Sequence, residues 1–301
     1  MAESLDEALR DTGFRGDIAV GAPLAPLTTW RIGGPAELLA TPRDAEDLIV
    51  AISWANSRGL PWRVLGNGSN LLVSDDGVRG VVLRLRKTLD AVTFSGTSVV
   101  AGAGASFPAL ANAAAERGLA GIEFGAGIPG SVGGAIVMNA GWHEFEIGGV
   151  VESVRYLERD GTVAVLDRAA CKFGYRSSAF RGRDGVVLQT QVALTEDGKT
   201  AVKDRLARFS ESRKANQPTE LPSCGSVFLK PPGDFAGRLI EAAGLKGRSV
   251  GGIQVSPKHA NFFVNLGGGT AKDAIALVEL VENEVLSKFG VRLVREFEVW
   301  E

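Results

Sequence analysis

The clearest alternation of apolar and polar positions falls in residues 270–299. Apolar residues recur at helical spacing at Ala274, Val278, Val281 and Val285. Thr270 and Asp273 precede them with side chains that cap a helix, and Gly290 follows as a residue that ends one. The pattern therefore predicts a capped helix up to Gly290 and a final strand from Val291 to Val299.

Short β-branched runs separated by turn residues dominate the chain between residues 60 and 194. The predicted strands are 62–65, 71–73, 78–85, 91–94, 98–101, 150–158, 162–166 and 186–194. Helices are predicted from a cap at Thr41 to Arg58, over 107–117, and over 197–215, where a charged helix leads to a short strand at 227–229. Regular βαβ alternation is missing, and we expect a domain boundary just before the charged helix.

The composition limits the class of protein. A length of 301 residues suits two domains, and 33 basic against 35 acidic residues give a net charge of −2, which provides no strong electrostatic attraction for nucleic acid or a membrane. The first fourteen residues lack a basic start followed by an apolar core, and no uncharged apolar run reaches transmembrane length. We therefore expect a cytoplasmic protein with a small-molecule partner.

Cysteine and histidine occur only twice each. Cys171 and Cys224 form no Cys-x-x-Cys pair, and His143 and His259 are the two histidines, so we expect buried thiols and no metal site. Acid-base chemistry would then rest on other residue types or on a cofactor. Glycine is unusually frequent at 39 residues, which indicates many positions with positive φ or close approach to a ligand.

Two glycine-rich loops are candidates for a cofactor site. Residues 125–141 read GAGIPGSVGGAIVMNAG and begin with the G-x-G-x-x-G of dinucleotide-binding folds. Pro129 removes an N–H inside that motif, and the glycines that follow it disfavour the helix that such a fold starts there, so a Rossmann dehydrogenase is a weak interpretation. Residues 66–70 read GNGSN. Either loop alone is more typical of a tight turn, but both together suit a long diphosphate cofactor.

The candidate cofactor-binding residues are Gly66, Asn67, Gly68, Ser69 and Asn70 in the first loop and Gly127, Ile128, Pro129, Gly130, Ser131, Gly133 and Gly134 in the second.

Three polar positions are candidates for chemistry. Arg176 presents a planar cation that suits a carboxylate or enolate oxygen, although such a residue alone is more often a surface ion pair. Ser226 lies between a glycine turn and an apolar strand, where its hydroxyl either projects into a pocket or bonds to the turn. Glu296 interrupts the last apolar strand and is either exposed at an edge or functional. A lone His259 is expected to be structural.

Six motifs, in this order, resemble the UDP-N-acetylenolpyruvoylglucosamine reductase family, flavoenzymes of bacterial peptidoglycan synthesis. They are TTWRIGGPA at 28–36, VLGNGSNLLVSD at 64–75, GIPGSVGGAIVMNAG at 127–141, YRSS at 175–178, SCGSVFLKPPGDFAGRLIEAAGLKG at 223–247 and KHANFFVN at 258–265. The resemblance implies an α+β fold. It has a vanillyl-alcohol-oxidase-type FAD-binding domain over 1–195, with subdomains at about 1–60 and 61–195, and a smaller C-terminal α/β substrate-binding domain over 196–301. The YRSS segment resembles the shorter family type, which lacks an inserted tyrosine loop.

The same resemblance implies roles for individual residues. The catalytic residues are Arg176, Ser226 and Glu296, with Ser226 as the proton donor. Tyr175, Lys214, Lys230 and Arg238 are implied to bind substrate, although the three cations are equally typical of solvated side chains. In the implied reaction, NADPH gives hydride to N5 of FAD, and the reduced flavin passes it to UDP-N-acetylglucosamine enolpyruvate to give UDP-N-acetylmuramate. A monomer or weak dimer is expected.

Two further classes stay open on the residues alone. Another FAD oxidoreductase of the same fold, such as a sugar or hydroxy-acid oxidase, would be reduced by an alcohol substrate instead of NADPH. A UDP-sugar-binding module without turnover would contain no flavin.

Overall fold

The structure is a computed structural model that describes residues 4–85 and 88–301. Its helices are α1 (Leu5–Arg10), α2 (Ala45–Ser57), α3 (Phe107–Ala115), α4 (Val132–Met138), α5 (Lys199–Asn216), α6 (Ala236–Ala242) and α7 (Ala271–Phe289), with 3-10 turns at Ala25–Leu27, Glu123–Gly127 and Ile147–Gly149. Its strands are β1 (Asp17–Pro23), β2 (Pro35–Thr41), β3 (Trp62–Leu65), β4 (Leu71–Val73), β5 (Val78–Arg84), β6 (Val92–Ser95), β7 (Ser98–Gly102), β8 (Leu119–Ala120), β9 (Gly141–Trp142), β10 (Phe145–Glu146), β11 (Val151–Glu158), β12 (Val163–Asp167), β13 (Gly185–Ala193), β14 (Thr195–Glu196), β15 (Ser223–Ser226), β16 (Ser249–Val250), β17 (Ile253–Val255), β18 (Phe262–Asn265) and β19 (Glu298–Trp300).

The chain divides into two compact units, and neither is continuous in sequence. The first comprises the residues up to Val20, Leu38–Asn67 and Gly80–Ser212, and the second comprises Gly21–Glu37, Gly68–Arg79 and Arg213–Glu301. The predicted domains 1–195 and 196–301 are each one continuous segment, so they differ from these units in two ways. Most of α5 belongs to the first unit, and two short segments between residues 21 and 79 belong to the second.

The first unit is built on antiparallel strand pairing. Its five-stranded sheet has the order β12-β11-β13-β7-β6, with Val154 opposite Leu166 on one side and Thr190 on the other. A second sheet, β1-β2-β5-β3, contains the parallel pair β3 and β5. Apolar side chains of α2, α3, α4 and these strands form one buried cluster, with Leu48 and Phe107 fully inside it. The short strands predicted for this region are therefore strands of an α+β fold that pack one face against this buried cluster.

Two helices of the first unit begin differently from the prediction. The cap of α2 is Asp44, whose carboxylate accepts from the Asp47 N–H, and not Thr41, which ends β2. A helix also begins inside the second glycine-rich stretch, at Val132, although the glycines there argued against one. Ser131 caps this helix, α4, by accepting from the Gly134 N–H. A good cap and burial of its apolar residues offset the poor helix propensity of glycine.

The second unit joins an antiparallel sheet, β15-β18-β17-β16, to a parallel pair of β4 and β19. The predicted capping box is confirmed, because Thr270 and Asp273 exchange side-chain and main-chain hydrogen bonds at the start of α7, and Gly290 ends that helix with φ 68°. The Asp75 carboxylate also accepts from the N–H groups of Ala271 and Lys272 at 2.8 and 3.1 Å, so α7 is capped twice. Phe228, Phe263 and residues of α6 and α7 form the core of this unit.

Two predicted strands of this unit are displaced. The strand expected at 227–229 is β15, which ends at Ser226, and the strand expected over 291–299 is ordered as β19 only from Glu298. Between them, Phe228 and Arg295 form an isolated bridge. The ends of these strands depend on pairing partners that are distant in the sequence. The local pattern of apolar residues therefore cannot predict them.

Across the described residues, no helix combines the length and apolar character needed to cross a membrane. The same part of the chain contains no cluster of three or more histidine, cysteine and acidic side chains that could hold a metal ion. Cys171 and Cys224 are both buried, as expected from the sequence.

Candidate functional site

The first glycine loop, residues 66–70, connects β3 to β4. Gly68 has φ 60°, and a Cβ there would lie 2.6 Å from the carbonyl oxygen of Leu27, so this position requires glycine. Within the described chain, the N–H groups of Gly66, Asn67, Gly68 and Ser69 donate to no protein acceptor. Unpaired N–H groups are rare at half-buried and buried positions, so the loop presents a row of donors for a ligand.

The second glycine loop contacts the first. A Cβ on Gly66 would lie 2.5 Å from Ser131 Oγ, so the loops approach as closely as glycine permits. Ser131 is only 6% exposed, yet neither its N–H nor that of Gly130 donates to an acceptor in the described residues. Within the first unit, the free donors of Gly66 and Asn67 therefore lie near those of Gly130 and Ser131 at the Gly66–Ser131 contact.

The start of α4 is not available as an anion site. The N–H groups of Val132 and Gly133 donate to the carbonyl oxygens of Ala105 and Ala103, both at 2.9 Å, and the Gly134 N–H donates to Ser131 Oγ. In a Rossmann loop the helix N-terminus receives the pyrophosphate. Here the free N–H groups of Gly130 and Ser131 lie before the helix and not at its N-terminus. The G-x-G-x-x-G sequence therefore does not form a Rossmann phosphate-binding loop in this protein.

Arg176 lies in the first unit in a strained conformation. Its φ is 50°, a left-handed value that costs a non-glycine residue energy and often occurs at functional sites. Its guanidinium donates to the Gly141 carbonyl at 3.0 Å and lies 5.3 Å from the ring centre of Tyr175, whose side chain is 52% exposed. The Asn139 side chain donates to the Gly174 carbonyl at 2.9 Å and so supports the turn that carries both residues.

Ser226 and Glu296 lie together in the second unit. The Glu296 N–H donates to the carbonyl oxygen of Val227 at 2.8 Å, which places the glutamate beside the residue that follows the serine. Gly225, with φ 82°, precedes Ser226 at a shift in the pairing of β15 with β18. Burial raises the pKa of the neighbouring Cys224 thiol, so this thiol stays protonated.

Asn70 has a role that its sequence motif does not reveal. Its side-chain amide donates to the Glu296 carbonyl at 3.2 Å, and its own carbonyl accepts from the Glu298 N–H at 3.0 Å. The last residue of the first glycine loop is thereby bonded to the segment that carries Glu296. Sequence analysis assigned Asn70 to the cofactor alone, because this contact joins positions far apart in the chain.

The remaining substrate-binding candidates lie on the surface of the second unit. Lys214 is exposed near the end of α5, and its ammonium forms no ion pair within the described residues. Lys230 Nζ lies 4.4 Å from the centre of the exposed Phe235 ring. Arg238 is paired with Asp234, and this guanidinium lowers the pKa of the Asp234 carboxyl to about 2. Lys214 therefore has the least engaged charge of the three.

One open groove of about 520 Å³ lies outside this set of residues. It is lined by Gly149, Val150, Val151, Glu152, Asp167, Arg168, Ala169 and Ala193. It contains no predicted site residue, so the site is defined by the loops and side chains above.

Comparison with known proteins defines the class. Residues 36–167 match the FAD binding domain model, and residues 217–300 match the model of the UDP-N-acetylenolpyruvoylglucosamine reductase C-terminal domain. A solved variant of berberine bridge enzyme shares the fold over 65% of this chain and 44% of its own, with TM-score 0.50 and 15% identity. The chain is therefore an FAD-dependent oxidoreductase with a vanillyl-alcohol-oxidase-type FAD-binding domain.

Full-length relatives define the family. The UDP-N-acetylenolpyruvoylglucosamine reductase of Rubrobacter xylanophilus is 48% identical over 92% of this chain and 93% of its own, and that of Moorella thermoacetica is 45% identical over 96% and 95%. The crystal structure of the Thermus caldophilus enzyme matches with TM-score 0.81 and 39% identity over 95% of this chain and 99% of its own. The chain belongs to the UDP-N-acetylenolpyruvoylglucosamine reductase family, which acts in peptidoglycan synthesis. The predicted family, fold class and enzyme class are confirmed, and assignment to the shorter family type stays a prediction.

The glycine loops fit the FAD that this family implies. A diphosphate needs several donors at close range, and within the first unit the loops offer unpaired N–H groups at Gly66, Asn67, Gly130 and Ser131. The N–H groups of Gly68 and Ser69, which belong to the second unit, are also unpaired. Gly133 and Gly134 use their N–H groups within the chain. Gly133 instead allows α4 to pack closely on Ala103, since an added Cβ would lie 2.9 Å from the alanine Cβ.

Proposed function

We propose that this protein reduces the enolpyruvyl group of UDP-N-acetylglucosamine enolpyruvate to give UDP-N-acetylmuramate, with FAD as resident cofactor and NADPH as hydride source. The observation that carries the proposal is the main-chain hydrogen bond from Glu296 to Val227, which pairs the segment of Glu296 with the residue directly after Ser226 on the family's C-terminal domain. We place the reaction in the cytoplasm, as expected from the sequence.

The chain's own residues have three tasks in this reaction. When bound, FAD supplies the redox chemistry by accepting hydride from NADPH and delivering it to the terminal enolpyruvyl carbon. Negative charge then develops at the adjacent carbon and its carboxylate, where the Arg176 guanidinium and a protonated Glu296 carboxyl stabilise it. The Ser226 hydroxyl donates a proton to that adjacent carbon, which completes addition of hydride and proton across the double bond.

Binding of the cofactor and of the UDP group uses different parts of the chain. The unpaired N–H groups of the two glycine loops hold the FAD diphosphate. Lys214, Lys230 and Arg238 bind the UDP pyrophosphate, with Tyr175 as a further substrate contact. The unpaired ammonium of Lys214 supports this assignment most directly, because the guanidinium of Arg238 must share its charge with Asp234.

The test is the anaerobic visible spectrum of the purified protein. NADPH should bleach the flavin bands, and UDP-N-acetylglucosamine enolpyruvate should restore them. A flavin that stays reduced after this addition would refute the substrate. A protein that is reduced by an alcohol and not by NADPH would belong to a different reaction class of the same fold.

A further inference from the structure

Asn261 makes an unusual set of contacts with the chain that follows Ser226. Asn261 is only 7% exposed. Its side chain forms hydrogen bonds with both the N–H and the carbonyl group of Phe228. Oδ1 accepts from the Phe228 N–H at 3.0 Å, and Nδ2 donates to the Phe228 carbonyl at 2.8 Å. The Asn261 carbonyl also accepts from the Val227 N–H at 2.8 Å.

These contacts extend a β-sheet beyond its last strand residue. The pairing of β15 with β18 ends at Ser226 opposite Phe262. A carboxamide carries the same donor and acceptor as a peptide group, so the Asn261 side chain acts as the next pairing partner in place of main chain. On this side, the segment after Ser226 is therefore held by the main chain and side chain of Asn261 and not by further residues of β18.

The other side of the same segment is bonded to the chain that carries Glu296. The Glu296 N–H donates to the Val227 carbonyl, and the Leu229 N–H donates to the Val294 carbonyl, both at 2.8 Å. Val227 and Phe228 thus lie between Asn261 on one side and Glu296 on the other. Movement of this segment would displace Ser226 and Glu296 relative to each other.

We propose that Asn261 is a positioning residue for the Ser226–Glu296 pair. Its carboxamide fixes the main chain of Val227 and Phe228, and this main chain fixes the separation between the hydroxyl and the carboxyl group. The inference rests on the proposed function, since it concerns the step in which these two groups act together. Aspartate lacks the donor for the Phe228 carbonyl and alanine lacks both groups, so neither variant can replace asparagine.

The chain offers a matched control for the experiment. Asn265 is also buried, at 5% exposure, and it likewise makes three hydrogen bonds in the second unit. Its Oδ1 accepts from the N–H groups of Gly267 and Gly269, and its Nδ2 donates to the Trp30 carbonyl. These bonds hold segments that carry no proposed catalytic residue.

Asn261→Ala and Asn265→Ala should be compared in the two half-reactions at saturating substrate. We expect both variants to be less stable and both to be reduced by NADPH at near wild-type rates. Only Asn261→Ala should slow flavin reoxidation, by about 10²-fold with little change in KM, which is the size of effect expected from small misplacement of reacting groups. Amide hydrogen exchange of residues 226–229 should be faster in Asn261→Ala alone. If Asn261→Ala does not fold, Asn261→Asp replaces it in the experiment, because aspartate has the same size and can still accept from the Phe228 N–H.

The outcomes separate the two ideas. Reoxidation of Asn261→Ala and Asn261→Asp within about twofold of wild type would refute positioning by Asn261 and leave the proposed function intact. Equal slowing in Asn261→Ala and Asn265→Ala would also refute it, because the effect would then be general instability. A wild-type flavin that this substrate does not reoxidise would refute the proposed function and the positioning role with it.

Discussion

An alcohol is a weak acid, so the role proposed for Ser226 depends on its surroundings. Proton transfer from serine is effective only toward a strongly basic carbon that is formed beside it. We therefore expect Ser226→Ala to leave flavin reduction by NADPH near normal and to slow reoxidation by several orders of magnitude, measured by anaerobic stopped flow. Ser223→Ala, in the same strand, is the control, since its hydroxyl makes only a 3.5 Å contact with the Gly225 N–H. Wild-type turnover of Ser226→Ala would end the assignment.

The contact between the two glycine loops makes a second prediction at single residues. An added Cβ on Gly66 would lie 2.5 Å from Ser131 Oγ, and it would force this hydroxyl away from the Gly134 N–H that it caps. Gly66→Ala should therefore cost about 1 kcal/mol of unfolding free energy, the typical value of an N-cap. The same change should cost much less in a Ser131→Ala background, where the nearest atom is the Cβ at 3.5 Å.

Urea denaturation of the flavin-free protein in a double-mutant cycle measures this coupling. Gly149→Ala is the control, since a Cβ there would meet no atom within 4 Å. Strictly additive effects of Gly66→Ala and Ser131→Ala would show that the loops do not touch in solution.

At the scale of elements, α2 is attached to the chain before it through one buried carboxylate. Asp47 is 1% exposed and accepts from the main-chain N–H groups of Arg43 and Arg15 and from the Arg15 side chain. Burial alone would raise the pKa of Asp47, but these hydrogen bonds outweigh it and hold the pKa below its ordinary value of 3.8. The ionised form therefore stabilises the folded state.

The sign of the pH dependence follows from that lowered pKa. Above 3.8 the contribution of Asp47 is present in full, and it is lost as the pH falls through the lower folded value. Asp47→Asn should cost on the order of 2 kcal/mol at pH 7, and the difference from wild type should shrink below about pH 4. Unfolding free energies at pH 7, 5 and 3.5 measure it, and a difference independent of pH would contradict it.

Elements differ in how far the sequence alone could predict them. The cap, spacing and end of α7 are local features, so they were predicted correctly from Thr270, Asp273 and Gly290. The ends of β15 depend on pairing with β18 and on the side chain of Asn261, which are not adjacent in sequence. A helix at α4 was disfavoured by its glycines, because propensity does not include packing on Ala103.

At the scale of the whole molecule, the motifs identified the family while the units could not be predicted. Segments Gly21–Glu37 and Gly68–Arg79 join the second unit through contacts with residues more than a hundred positions away, for example Thr29 with Ser223 and Asp75 with Ala271. Hydrophobic periodicity describes neighbouring residues only, so it predicts continuous domains. Roles for Arg176, Ser226 and Glu296 came from motif resemblance and stay predictions.

A monomer or weak dimer stays a prediction. Large exposed apolar side chains of the described residues occur in small groups, such as Val163 and Val165 on the edge strand β12 and Leu286 and Phe289 on α7. A stable interface buries roughly 800 Å² per partner. Sedimentation velocity at micromolar concentration should give the mass of one chain, and a dimer that persists on dilution would contradict this.

The pairing of β4 with β19 also affects the order of events during synthesis. Leu71 follows the first glycine loop directly, yet its strand partner is Glu298, which the ribosome adds more than 200 residues later. At 5–20 residues per second, this interval is roughly eleven to forty-five seconds. During that time the apolar strand Leu71–Val73 has no edge to join and is a site where a nascent chain could aggregate or recruit a chaperone. Because the first glycine loop is bonded to this late segment through Asn70, we expect FAD to bind after translation and not during it.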